Sequence, residues 1–116
     1  MTSLTVDRSV LDGLLAETGD HSLVELVLDA YLERAPELTG SLGRAVAAGA
    51  RPDAAHHAHD LASLSGQVGA TALAKLARQV EYDADHTSNA LDAQFRRVEH
   101  ALPLVLAEIA ALRAGG

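Results

Sequence analysis

Apolar positions along the chain recur every three to four residues, the spacing that keeps one face of an α-helix dry. No stretch alternates over the length of a strand. Val10, Leu11, Leu14 and Leu15 form a first short stripe, opened by Val6 and Asp7 and closed by Gly19, glycine being the residue that most easily ends a helix. Ser22 and Glu25 have the spacing of a capping box, in which two side chains satisfy free amides at a helix start. The helix they announce carries Leu23, Leu26, Val27 and Ala30, passes Pro36, and continues through Leu38, Leu42 and Val46 to Gly49. Pro36 has no amide proton, which predicts a kink or a break there.

A third helix is expected to begin at Arg51-Pro52, since proline suits a first helical turn, and to end near Gly69. A fourth should run from Thr71 to Ala84 with Leu73, Leu76, Ala77 and Val80 facing inward, and the polar stretch Asp83 to Asn89 reads as a turn. Beyond it Leu91, Phe95, Val98, Leu102, Val105, Ile109 and Leu112 alternate spacings of 4 and 3, a narrow seam that packs against neighbouring helices. Pro103 lies inside this last helix and should bend it. Long amphipathic helices joined by short loops predict an all-α fold: an antiparallel four-helix bundle with an additional short N-terminal helix. Residues 1–116 read as a single domain.

Composition narrows the function. The chain is 48% hydrophobic and 3% aromatic, so a core of Leu, Ala and Val must hold its 116 residues together. The absence of cysteine excludes disulfides, cysteine nucleophiles and cysteine-ligated metal centres. A formal charge of −7, from 9 basic against 16 acidic residues, disfavours a partner made of phosphate backbone, because the mean field repels it. MTSLTVDRS lacks the pattern of a secretory signal, and Pro103 and Glu108 interrupt the apolar run ALPLVLAEIAAL. These bounds describe a soluble, acidic, cytoplasmic domain with no nucleic-acid or membrane partner. There is no glycine-rich phosphate loop, nucleophile elbow or nucleotide site, so kinase or other conventional enzyme activity is not expected.

The segment Pro52 to Ala70 carries the candidate chemistry, with three of the six histidines. At ~100° per residue, Leu61, Leu64 and Val68 share one side with His57 near it, and His59 points the opposite way. Around His59 stand Pro52, Ala55, Ala62, Ser63 and Gly66, flanked by His56 and Asp60. Alanine-rich composition alone would place small residues there. A glycine within a helix nevertheless costs ~1 kcal/mol, and a lone imidazole on a bare floor lets another protein approach closely. Ala55, His56, Ala62, Ser63 and Gly66 are therefore the expected partner-binding positions. His57 reads as a boundary residue with its polar end satisfied locally, and His21, His86 and His100 lie near helix ends or on the outer face. His56 and His59 with Asp60 have the spacing of a weak surface metal site, but no Glu-x-x-His pair supports one, and no metal is expected.

Ala58-His59-Asp60-Leu61, with Gly69-Ala70 beginning ten residues after the histidine, resembles the histidine phosphotransfer (HPt) domain family of multistep phosphorelays, whose pattern is Ala-His-x-Leu-Lys-Gly followed by that glycine. VDRSVLDGLLAETG, LDAYLERAPELTGSLGRAVAAG and the final seam look like the same family. The resemblance implies a five-helix protein in which His59 receives phosphate from, and returns it to, an aspartate on a response-regulator receiver domain. A hybrid sensor histidine kinase is the implied upstream partner. It implies a carrier with no cofactor of its own, magnesium belonging to the receiver's acidic pocket.

Two positions depart from the pattern: the lysine is Ala62 and the glycine after it is Ser63. Neutral imidazole is a good nucleophile near neutral pH, and phosphoryl transfer needs alignment and charge compensation more than covalent help. A carboxylate accepting from Nδ1–H would leave Nε2 free. Glu81, on the next helix where the family often has an acid or amide, is the expected orienter. Arg78, one turn earlier, or Lys75, a turn before that, are candidates for the missing positive charge, with Arg78 the first choice. The alternative function is an adaptor that docks a receiver without accepting phosphate or, ranked below it, a surface metal-binding helical bundle. A seam that can be satisfied internally makes a monomer the expectation.

Overall fold

The computed structural model describes residues 6–87 and 89–115. Five helices follow in order: α1 (Arg8–Thr18), α2 (His21–Ala47), α3 (Arg51–Gln67), α4 (Thr71–Asp85) and α5 (Leu91–Gly115). No strand occurs among the described residues. Helix α2 packs on α3, α3 on α4, α4 on α5, and α5 back on α2, which closes a four-helix bundle; α1 rests on α2. The connections between bundle helices are too short to let the chain cross over, so neighbours run antiparallel. No helix of the described residues is long and apolar enough to cross a membrane.

The seam on α5 is buried as its spacing requires: Leu91, Val98, Leu102, Val105 and Ile109 lie in the core, with Phe95 and Leu112 packed at its edge. Leu61 of α3, Val68 just after it, and Leu73, Ala77 and Val80 of α4 share that core, and α2 contributes Leu28, Tyr31, Ala35 and Leu42. On α2 the expected stripe is offset. Leu26 is 65% exposed and Ala30 is also exposed, because the inward face of the first half of α2 is that of Leu28, Tyr31 and Ala35.

Three local readings are corrected. Asp20, not Ser22, caps α2: its Oδ1 accepts from the Ser22 amide at 2.9 Å and the Leu23 amide at 3.3 Å, and Ser22 already lies in the first turn. The left-handed Gly19 (φ 63°) turns the chain at once, and the Asp20 carboxylate then sits at the positive end of the new helix. Of the kink or break expected at Pro36 the break is excluded, since α2 runs through it, and α5 likewise continues through Pro103; both prolines are exposed. Asp83 is no turn residue but the buried end of α4, 4% exposed. Its Oδ1 accepts from Gln79 Nε2 at 3.1 Å and its carbonyl accepts from Arg51 Nη1 at 3.0 Å, while Oδ2 is buried with no hydrogen-bond partner among the described residues.

The residues just before α1 tie the bundle together and fix the α3–α4 turn. The Val6 amide donates to Glu108 Oε1 at 2.9 Å, and the Asp7 amide donates to the Gly69 carbonyl at 2.7 Å. Gly69 has φ 79°, and a methyl group there would collide with the Asp7 carbonyl. Only glycine serves at that turn. The glycine ten residues past His59 thus sets the register of α4 against α3, and with it the partner that α4 offers to His59.

Candidate functional site

His59 stands near the middle of α3 with its side chain 63% exposed. Its Nδ1 lies 3.1 Å from Oε2 of Glu81 on α4, a side chain 29% exposed. An ionised carboxylate only accepts, so the proton of this bond sits on Nδ1, and in the neutral imidazole the lone pair then falls on Nε2. The two ring nitrogens occupy diverging edges of the ring. With Nδ1 held on the α4 side, Nε2 is turned away from α4.

The two flanks of α3 differ in how they are covered. Ala55 is 8% exposed, Ala58 is fully buried and Ala62 is 2% exposed. The expectation that Ala55 and Ala62 lie on the open surface is corrected: they belong to a row of alanines over which α4 packs closely enough for Glu81 to reach His59. Position 62, where the family pattern has lysine, is thus in the α3–α4 seam. The open face is made instead by His56 (72% exposed), Ser63 and the half-exposed Gly66, where an added methyl group would meet nothing within 4 Å.

His56 Nε2 lies 3.5 Å from Asp60 Oδ2, and its ring centroid is 5.9 Å from that of His57. His57 is half-buried as expected, but it makes no hydrogen bond among the described residues, so its polar end is not satisfied by the chain. His56, His59 and Asp60 do not converge, since His59 is held by Glu81. Among the described residues no group of three or more His, Cys, Asp or Glu side chains could hold a metal ion. Arg78 and Lys75 are exposed on α4, and no ion pair or hydrogen bond among the described residues ties either to His59. His21 opens α2, His86 is the C-cap of α4 with Nδ1 2.7 Å from the Tyr82 carbonyl, and His100 is exposed on α5.

The pattern of residues did not point to the α2 side of the site. Between α2 and α3 lies an open depression of about 210 Å³, lined by Arg34, Leu38, Asp60, Ser63, Leu64 and Gln67. Arg34 Nη1 is 3.2 Å from Glu37 Oε2, in a pair exposed on both sides. The one available signal was that Arg34 precedes the core residue Leu38 by a helical turn, which puts it at the rim of the same face. On the other side of α3, inside the bundle, Tyr31 Oη and Ser65 Oγ are 3.0 Å apart and buried. Burial pushes the Tyr31 phenol above its usual range, an effect the Ser65 hydrogen bond partly offsets.

The imidazole is 63% exposed and lies outside the 210 Å³ depression, an openness that suits a reaction completed inside a second protein. Fold and site together define a helical bundle that carries one oriented histidine on its surface. The chain belongs to the Hpt domain family, whose model matches residues 26–115. Members of that family are histidine phosphotransfer proteins of phosphorelays, which interact with receiver domains and histidine kinases. The crystal structure of histidine-containing phosphotransfer protein B (HptB) from Pseudomonas aeruginosa PAO1 is similar over 99% of this chain and 99% of its own, with a TM-score of 0.88 and 23% sequence identity. That likeness is one of fold. No curated protein matches the sequence.

Proposed function

We propose that His59 is the phosphoryl acceptor of this Hpt domain and Glu81 the residue that orients it. The observation that carries this reading is the 3.1 Å contact between His59 Nδ1 and Glu81 Oε2, which leaves Nε2 with its lone pair on an exposed ring. In the forward step the Nε2 lone pair attacks the phosphorus of a receiver's aspartyl phosphate. The N–P bond forms as the P–O bond breaks, and the aspartate leaves as a carboxylate. The imidazolium so formed keeps its Nδ1 proton, and the Glu81 carboxylate stabilises the positive charge. Return of the phosphoryl group to an aspartate retraces the same path. Magnesium in the receiver's acidic pocket would offset the charge on the phosphoryl oxygens.

His56, Ser63 and Gly66 form the near surface on which a receiver docks, supported from beneath by Ala55 and Ala62. The chain acts as a cytoplasmic, monomeric carrier between receivers, one of them belonging to a hybrid sensor kinase, and contributes no kinase activity of its own. The test is incubation with a phosphorylated receiver domain and magnesium. Acid-labile, alkali-stable phosphate on His59, lost in His59→Gln, is the expected result. Transfer that persists in His59→Gln contradicts the assignment, and docking without transfer would favour the adaptor reading.

A further inference from the structure

Nδ1 is fixed on the α4 side, so a phosphoryl group carried on Nε2 extends away from α4. The helix that packs on the other side of α3 is α2, and between the two lies the 210 Å³ depression; His59 does not line it, but Ser63, one turn later, does, with Asp60 and Gln67 on the same wall and Arg34 opposite. Helical side chains lean toward the N-terminus, so the Ser63 hydroxyl, one turn after His59, leans back toward the imidazole. Among the described residues neither Ser63 nor Gln67 spends its side chain on a hydrogen bond within the chain. Arg34 is held only by Glu37, three residues on, at 3.2 Å, with both side chains 57% exposed. Exposed pairs of this kind contribute little and exchange partners readily.

Asp60 is the carboxylate on the wall. His56 sits 3.5 Å from it and offsets its charge whenever the imidazole is protonated. The α4 flank offers no such place. Ala62 is buried and uncharged, and Arg78 and Lys75 lie on the side from which Nε2 is turned away.

We propose that Arg34 and the Ser63 hydroxyl form the cradle for the phosphoryl oxygens of phosphorylated His59, so that the supporting cation comes from α2 rather than from α3 or α4. Arg34 releases Glu37, swings over the depression and donates to a phosphoryl oxygen while Ser63 donates to another. A guanidinium suits this part because its planar fork of N–H groups matches a tetrahedral oxyanion. The proposal rests on His59 being the acceptor.

The experiment uses the full chain and phosphoramidate as phosphodonor, which needs no partner protein. Its P–N bond breaks as the bond to Nε2 forms, and ammonia leaves with the electron pair. Phosphohistidine formation and decay are followed by phosphorus NMR in wild type, Arg34→Ala, Arg34→Lys, Ser63→Ala and Arg78→Ala, with thermal melts as a check of folding. Arg34→Ala should slow phosphorylation about tenfold and shift the phosphohistidine resonance, the loss expected for one charge-assisted hydrogen bond. Arg34→Lys, which keeps the charge but not the fork, should recover only part of the rate, and Ser63→Ala should lose about threefold, as for a neutral donor. A wild-type chain that is never phosphorylated on His59 would defeat the acceptor assignment itself. A wild-type chain that is phosphorylated there, with Arg34→Ala matching it or with the loss falling on Arg78→Ala, would overturn the cradle alone.

Discussion

Two of the hydrogen bonds that tie α3 to its neighbours are nearly the same length but differ sharply in exposure. Tyr31 and Ser65 meet at 3.0 Å between α2 and α3, and His59 and Glu81 at 3.1 Å between α3 and α4. The first is wholly buried, while the second joins side chains 63% and 29% exposed. In the interior no water replaces a lost partner, so the Tyr31–Ser65 bond holds two helices in register and is costly to break. At the surface water competes, and the His59–Glu81 bond adds little to stability. In the function proposed above, its worth lies in choosing which nitrogen keeps a lone pair, so that exposure rather than bond length separates the two contacts.

The contrast can be put to test one side chain at a time. His59→Gln should abolish phosphorylation while leaving the melting temperature nearly unchanged, because an exposed substitution away from the core alters stability by within about 0.5 kcal/mol. Glu81→Ala should slow phosphorylation about ten- to a hundredfold, the effect of losing an orienting partner, and Glu81→Gln, which keeps an acceptor, should lose less. Melts of both variants should again stay near wild type.

The buried pair should behave the opposite way. Tyr31→Phe or Ser65→Ala should lower stability by about 1–2 kcal/mol through an unpaired buried hydroxyl, with phosphorylation rates within about twofold of wild type. The double variant should cost less than the sum, a coupling that urea melts can measure. Tyr31 also predicts a pH effect. Burial raises its folded-state pKa above the ordinary value of 10.0, so the folded chain holds that proton more tightly than the unfolded chain. Its contribution is complete below pH 10.0 and is lost as pH rises past it. Urea midpoints should fall over that range in wild type and fall less in Tyr31→Phe. The smallest effect is at Gly66, where a methyl group meets open space. Gly66→Ala should raise stability by about 0.5–1 kcal/mol and leave phosphoramidate chemistry untouched.

Much of this was legible in the residues. Helix boundaries followed from Gly19, Gly49 and Gly69 and from the apolar period, and the α5 seam from Leu91 to Leu112 needed no tertiary knowledge. His59 and Glu81 were legible through the family pattern, and the turn at Gly69 brings them together. What escaped is what a single helix cannot contain. A helical wheel groups Ala55 and Ala62 with His59, but it does not say that α4 covers that edge while the edge with Ser63 stays open. Arg34 is an ordinary surface arginine until α2 is set beside α3. The Ser22–Glu25 capping pattern was outcompeted by an aspartate two residues earlier, and Asp83 looked like a turn residue because its donors, Gln79 and Arg51, come from a helical turn before it and from another helix.

The identity of the phosphorylated nitrogen is where structure and chemistry meet most directly. The chain, labelled with ¹⁵N-histidine and treated with phosphoramidate, can be read by phosphorus–nitrogen coupling. Coupling to Nε2 of His59, with the Nδ1 proton retained in its bond to Glu81, is the predicted result. Coupling to Nδ1 of His59, or to the ring of His56 or His57 with His59 unmodified, would contradict it.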